Sequence, residues 1–408
     1  MKTLTLIACS SLVALFSGLG SAQTNDLAGW AEQAVSPDQS VALKAQDQLR
    51  AAGPSGLQAL EQRFAKEILA HRAGAVTDAR WKRIGAALDH VGGQYDNYSS
   101  GLYWYTDLEK AKAAARDSGK PILSLRLLGR LDQDLSCANS RFFRTTLYPS
   151  QEINALLKDR FILHWESVRP APKVTIDFGD GRKLVRTITG NSIHYILDSD
   201  GAIVDALPGL YSAQVFVSEL RRSADAVKEA RAAGSHDYTQ HFRSAEARLL
   251  QAWAADVAAI HVTLPAKQTL TESDLEPLMG DDKWQQVAQL PTNSASFDFA
   301  VRKVMEQKFP TARMAAPVAV GKSMVEMPML RQMRNLSRSV ALDTVRNNYM
   351  LRTKILAFLG GLTPHSRSLT QVNNWVYDYI FLTPGRDPWL GLAPPDVFSA
   401  IDKNGEGQ

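Results

Sequence analysis

The chain has 408 residues, with 46 Lys and Arg against 42 Asp and Glu, and its formal charge at neutral pH is +4. Because the basic and acidic residues are mixed along the chain, we expect no nucleic-acid-binding surface. The length is sufficient for two or three domains with apolar cores.

The first 22 residues have the composition of an export signal. Met1 and Lys2 form a short basic start, Leu4 to Leu19 are mostly apolar, and Gly20-Ser21-Ala22 supplies small residues at a cleavage site. The apolar run is shorter than the roughly 20 residues that a transmembrane helix needs. We therefore expect cleavage after Ala22 and a periplasmic or secreted protein that does not span the membrane.

The chain has two cysteines, Cys9 and Cys137. Leu6-Ile7-Ala8-Cys9 is similar to a lipoprotein cleavage box, but it leaves little apolar sequence before the cysteine, so we expect Cys9 to leave with the signal. An exported chain that keeps Cys137 alone forms no intramolecular disulfide. Its stability then depends on the burial of apolar residues.

Residues 23–98 are predicted to be helical. Apolar residues recur at helical spacing through Ala42, Ala45 and Leu49 and again from Leu57 to Ile68, with Gly53-Pro54-Ser55-Gly56 between the two runs. This pattern resembles one helical hairpin of the HEAT-repeat kind. A single hairpin cannot bury its apolar face alone, so we expect it to pack on a neighbouring domain.

Residues 99–230 alternate between helical and strand patterns. Thr106, with Glu109 three residues later, predicts the start of a helix that ends before Gly119. The predicted elements that follow are a strand at Ile122 to Leu128, a helical stretch at Asn139 to Arg160 interrupted near Pro149, a strand at Phe161 to Trp165, a hairpin of Val174 to Phe178 with Lys183 to Thr189, a second hairpin of Ile193 to Leu197 with Ile203 to Leu207, and a helix from Ser212 to about Glu229.

This order of elements resembles the thioredoxin fold. Gly119-Lys120-Pro121-Ile122-Leu123 is similar to the family's lead-in to its central strand, and Ile193 to Gly201 followed by Pro208-Gly209 is similar to its closing half. The resemblance covers about Tyr103 to Arg222. It implies an α/β thioredoxin-like central domain flanked by mainly α-helical regions.

Two positions depart from the thioredoxin pattern. The family carries Cys-x-x-Cys at the first turn of a helix, whereas Ser140 stands where the second cysteine would follow Cys137. Ser192, within Gly190-Asn191-Ser192-Ile193, stands where the family carries a proline. Dithiol–disulfide exchange within one chain is therefore not expected.

One-cysteine chemistry remains open. If Cys137 begins a helix, Arg141 lies one turn away and Arg130 just upstream, and both charges would lower the pKa of the thiol. Such a thiol forms a sulfenic acid or a mixed disulfide with an outside partner. The alternative is that Cys137 is a small buried apolar residue. The candidate catalytic residues are Cys137, Arg141 and His194, with supporting roles for Arg126, Asn139, Ser140, Asn191 and Ser192.

Thioredoxin strand order would place the strand of Arg126 between the strands of His164 and His194. Alternation then puts Ser124 and Arg126 on one face of the sheet. Arg126 either contributes, alone or with His194, to a polar site near Cys137, or pairs with Glu166 or Asp107, which is the commoner outcome for an arginine inside a strand. No histidine pair has metal-ligand spacing, so neither a metal nor a cofactor is expected.

Residues 231–408 are predicted to be a mainly helical domain. Ser339 to Leu359 and Leu369 to Phe381 have helical periodicity, and Asp387 to Pro395 is typical of an ordered coil. Val320-Gly321-Lys322-Ser323 lacks the first glycine of a phosphate loop. Four methionines between Met324 and Met333 are either core residues or soft ligands for Cu(I).

Two functions of different classes are consistent with these patterns. The first is an exported thioredoxin-like protein in which Cys137 attacks a partner or is oxidised. The second is a non-catalytic scaffold that binds another protein through its helical flanks. The sequence identifies no small-molecule substrate.

Overall fold

The computed structural model describes residues 26–74, 77–187, 191–293 and 336–384. The predicted signal peptide, the Met324 to Met333 cluster and the Asp387 to Pro395 coil lie outside these residues. The chain divides into two compact units, Met1–Tyr103 and Trp104–Gln408. Within the described ranges, no helix is both long enough and apolar enough to cross a bilayer.

The first unit is helical, as its apolar spacing predicts. Its helices are α1 (26–33), α2 (Gln39–Ala51), α3 (Pro54–Arg63), α4 (Ala65–Arg72) and α5 (Ala79–Gly92). The predicted break is confirmed, because α2 ends at Ala51 and α3 begins at Pro54, a residue that suits the first turn of a helix. Asp38 caps α2 and accepts from the backbone N–H groups of Ser40 and Val41.

The first unit has more helices than the single hairpin expected from the sequence. Apolar residues from all five helices form one cluster, from Ala31 in α1 to Val91 in α5. Leu49, Leu60 and Phe64 have no exposed surface in it. The apolar face of the predicted hairpin is therefore buried by helices of its own unit.

The second unit is built on a five-stranded mixed sheet. Its strands are β1 (Trp104–Tyr105), β2 (Ile122–Leu128), β3 (Ile162–Arg169), β6 (Ser192–Leu197) and β7 (Ile203–Pro208). They lie in the order β1-β3-β2-β6-β7. β1, β3 and β2 are parallel, β6 runs antiparallel to β2, and β7 runs antiparallel to β6. The central strand β2 is buried along its whole length, as a strand covered on both faces must be.

Four helices connect or flank these strands. They are α6 (Leu108–Ser118), α7 (Ala138–Phe142), α8 (Gln151–Arg160) and α9 (Ala213–Ala232). A π-helical turn at Phe143–Leu147 separates α7 from α8, near the predicted interruption at Pro149. The expected cap at Thr106 is wrong by one residue, because the carboxylate of Asp107 accepts the N–H groups of Glu109 and Lys110.

The hairpin predicted after β3 forms a separate two-stranded sheet. Its strands β4 (Lys173–Asp177) and β5 (Lys183–Thr187) pair antiparallel, with Ile176 opposite Leu184. Ile176 and Phe178 are exposed. The hairpin therefore presents apolar side chains to solvent.

The helices after residue 231 belong to the same compact unit as the sheet, whereas the sequence analysis separates them as a third domain. The described helices are α10 (Thr239–Ala259), α11 (Glu272–Leu275), α12 (Asp281–Gln289), α13 (Leu336–Arg346), α14 (Arg352–Gly361) and α15 (Leu369–Trp375). A π-helical turn, Asn347–Leu351, joins α13 to α14, and another, Val376–Ile380, follows α15.

A buried ion network joins these helices to the sheet. The guanidinium of Arg352, which has no exposed surface, lies 2.7 Å from a carboxylate oxygen of Asp205 in β7 and 2.9 Å from one of Glu219 in α9. Arg248 in α10 makes two further bonds to Glu219, at 2.6 and 2.9 Å. Burial alone would raise the pKa of Asp205, but the charges of Arg352 and His241 hold it well below its usual range.

Arg352→Met should destabilise the second unit by about 3–5 kcal/mol, because two buried carboxylates lose a partner. Urea unfolding measures this loss. Arg346→Met is the matched control, since Arg346 pairs with the exposed Asp281, and it should cost about 1 kcal/mol or less. Equal losses in the two variants would show that the network does not hold the helices to the sheet.

Candidate functional site

Cys137 begins helix α7 beyond the end of the central strand, as predicted. Its backbone N–H donates to the carbonyl oxygen of Leu128, the last residue of β2, at 3.2 Å. The intervening loop starts at Gly129, whose φ of 76° lies in the left-handed region. A Cβ on Gly129 would lie 3.2 Å from the Cα of Ser136. This close turn places Cys137 at the carboxyl end of the central strand β2.

The Cys137 thiol is buried, with 0% of the residue exposed. Burial raises its pKa, and hydrogen bonds from Ser140 and Asn139 at the helix start offset only part of that rise. The expected lowering of the thiol pKa is therefore wrong. The cost of removing the thiolate from water exceeds the stabilisation that the N-terminus of α7 provides, because this helix has only five residues.

Of the two arginines expected beside the thiol, Arg130 makes its side-chain contacts elsewhere. Arg130 pairs with Asp132, with nitrogen–oxygen distances of 2.9 and 2.6 Å, and lies 5.3 Å above the ring of Trp165. Arg141 is half-buried, and its backbone N–H donates to the carbonyl oxygen of Cys137 at 3.3 Å. The groups that chiefly favour the thiolate are hydrogen-bond donors of Ser140 and Asn139.

Four of the predicted supporting residues lie at this end of the sheet. Ser140 is buried, and its hydroxyl lies 2.5 Å from that of Ser136 and 2.8 Å from the Cys137 carbonyl oxygen. Asn139 donates its amide N–H to the hydroxyl of Ser192 at 3.0 Å, which ties α7 to the start of β6. Asn191, just before β6, donates to the hydroxyl of Thr383 at 3.2 Å.

His194 and Arg126 do not form the shared polar site considered from the sequence. His194 pairs with Leu125, whereas Arg126 pairs with Ile193. Because paired residues share a face and neighbours alternate, His194 and Arg126 lie on opposite faces of the sheet. His194 Nε2 lies 2.7 Å from the Tyr148 hydroxyl, and the rings of Phe143 and Phe216 pack against the imidazole.

Arg126 is buried and forms an ion pair with Glu166, one of the two partners predicted for it. On the same face, the hydroxyl of Ser124 lies 2.9 Å from His164 Nδ1. Tyr195, opposite Ser124, is also buried. The Tyr195 hydroxyl and Arg126 Nε have no hydrogen-bond partner in the described part of the chain.

Two tyrosines near the thiol are not among the site residues predicted from the sequence. Tyr148 and Tyr377 are buried, and burial, followed by the negative charge that Cys137 would carry, raises the pKa of both hydroxyls well above the usual value. The Tyr377 hydroxyl donates to the carbonyl oxygen of Asn191 at 3.3 Å, across 186 positions of the chain. Tyr148 stands beside Pro149 at the predicted helix break, but no local pattern identifies Tyr377.

At rest, this arrangement favours a protonated thiol. Cys137 is a free cysteine, and the Ser140 hydroxyl cannot form a disulfide with it. Because burial removes hydration from the sulfur, the thiolate is disfavoured. Chemistry at sulfur therefore requires Cys137 to become exposed.

Both buried histidines should make stability fall with acid. Burial lowers the pKa of His164 and of His194 to about 3 from 6.5, with Arg126 also contributing at His164. Above pH 6.5 both rings are neutral in the folded and in the unfolded chain, so their contribution to stability does not vary with pH. As pH falls from 6.5 towards 3, only the unfolded chain binds protons at these rings, so the free energy of unfolding decreases. Each ring should cost about 2 kcal/mol of unfolding free energy between pH 8 and pH 5.

Urea unfolding at pH 8 and pH 5 measures this effect. His194→Gln should remove about half of the loss, so the variant should be less destabilised relative to the wild type at pH 5 than at pH 8. His90→Gln is the control, because His90 is exposed in the first unit and pairs with the exposed Asp47. A wild-type loss unchanged by His194→Gln would show that this imidazole is not buried in its neutral form.

The chain matches no protein-family model, and no curated protein matches it. The role of this site therefore follows from its own contacts, burial and charges.

Proposed function

We propose that the residues from Trp104 onward adopt a thioredoxin-like fold. Three parallel strands followed by two antiparallel ones, in the order β1-β3-β2-β6-β7, support this assignment. The cysteine at the start of a helix beyond the central strand supports it as well. Ser192, the first residue of β6, would then stand where the thioredoxin family carries a proline.

Within this fold, the function best supported is that of a non-catalytic scaffold that binds another protein. The observation that carries the proposal is the burial of Cys137, whose thiol is inaccessible and has a raised pKa. Ser140 removes the second thiol that turnover within one chain requires. The exposed apolar side chains of Ile176 and Phe178 on the hairpin are consistent with a protein partner.

A redox thiol is the second candidate. It is favoured by the position of Cys137 at a helix start, where backbone N–H groups stabilise a thiolate once it is hydrated. Cys137 would then form a sulfenic acid or a mixed disulfide in the periplasm or outside the cell, where the export signal would direct the chain. This function requires a conformation in which the thiol is exposed.

Alkylation of Cys137 by iodoacetamide as a function of pH distinguishes the two. In a Cys9→Ser chain, a scaffold should react at least tenfold more slowly than the same chain in denaturing urea at every pH from 6 to 9, because the thiol is buried. Non-reducing electrophoresis beside Cys137→Ser should show no disulfide-linked dimer. A fast reaction of the folded chain with a midpoint near pH 6 to 7, against about 8.5 for a free thiol, would support the redox function instead.

A further inference from the structure

The C-terminal segment lies across the end of the sheet that holds Cys137. The carboxyl ends of the parallel strands β2 and β3 and the start of the antiparallel β6 meet at this end. Arg169, at the end of β3, donates to the carbonyl oxygen of Thr383, and Asn191 donates to its hydroxyl. Tyr377 donates to the carbonyl oxygen of Asn191. Residues Val376–Thr383, called the cover below, are thus hydrogen-bonded to the end of β3 and to the residue that precedes β6.

A buried polar cluster lies beneath the cover. It comprises the Cys137 thiol, the Tyr195 hydroxyl and Arg126 Nε, and the last two lack hydrogen-bond partners among the described residues. Cys137, Tyr195 and Arg126 each lie within electrostatic range of the Tyr377 hydroxyl in the cover. A buried polar atom without a partner destabilises the closed arrangement relative to one that admits water.

The cover itself is strained and incompletely packed. It begins with a π-helical turn, Val376–Ile380, and contains Leu382 in the left-handed region at φ 52°. Tyr379 and Leu382 are 65% and 67% exposed. These features are typical of a segment that opens locally.

The residues just before the cover are firmly held. Arg367 is buried and donates to Asp237 and to the carbonyl oxygens of Leu359 and Leu362. The ring of Trp375 in α15 stacks on Phe358 in α14, with a centroid distance of 3.8 Å. Opening can therefore begin after Trp375 while α14 and α15 remain in place.

We propose that Val376–Thr383 is a displaceable cover that controls access to Cys137. In the closed state the cover keeps the thiol dry and protonated. Displacement admits water to Cys137, so that the sulfur becomes hydrated and can ionise. This device goes beyond the scaffold function and does not depend on it.

Tyr377→Ala tests the cover directly, with Tyr379→Ala as the matched control. Both variants remove a tyrosine from the same turn, but only Tyr377 is buried over the cluster. In a Cys9→Ser chain at pH 8, Tyr377→Ala should raise the rate of Cys137 alkylation by iodoacetamide at least tenfold, and Tyr379→Ala should change it less than twofold. Cys137→Ser in the same background gives the blank. Equal rates in the two tyrosine variants would overturn the proposal.

The urea dependence separates local opening from unfolding. Below the unfolding transition, the rate for Tyr377→Ala should be nearly independent of urea, because opening of the cover exposes little surface. A rate that rises with the slope of global unfolding would also overturn the proposal. Asn191→Ala, which removes one bond to Thr383, should give a smaller increase of the same kind. Rapid alkylation of the wild type would contradict both the cover and the scaffold, whereas slow and equal rates in all variants would contradict the cover alone.

Discussion

The pairing of Arg352 with Asp205 and Glu219 is the constraint on which the second unit depends. Two carboxylates and a guanidinium without exposed surface are stable only while they compensate one another. Since these residues come from β7, α9 and α14, the network fixes a helix of the C-terminal region against the sheet. A short connection joins α14 to α15, so the network anchors the helix that precedes α15 and the proposed cover.

The thiol shows how burial and local electrostatics compete. A helix start favours a negative charge, and the N–H groups of Asn139 and Ser140 are placed to provide that effect. The effect is small beside the cost of removing a thiolate from water, especially for a helix of five residues. The identity of the residue at a helix start therefore does not determine its reactivity, because the segments packed above it decide how much water it retains.

Patterns within about 20 residues were readable from the sequence. Ile122 to Leu128 is a strand, the break at Gly53-Pro54 separates two helices, and Cys137 begins a helix, because each depends on local propensity, turn residues or capping. The face of His194 was not anticipated, because it depends on the register between β2 and β6. The network around Arg352 and the burial under Tyr377 join residues far apart in the chain, and no periodicity encodes such pairings.

The β4–β5 hairpin carries a consequence for self-association. Within the described residues β4 and β5 form a two-stranded sheet of their own, and the end strands of a sheet are templates for adding a strand from a second molecule. Lys173, Asp177 and Lys183 alternate with the apolar residues and bring charges to that edge. Lys183 pairs with Asp177 at 3.1 Å, and desolvation of this pair would oppose the addition of a strand from a second copy beside the exposed Ile176 and Phe178.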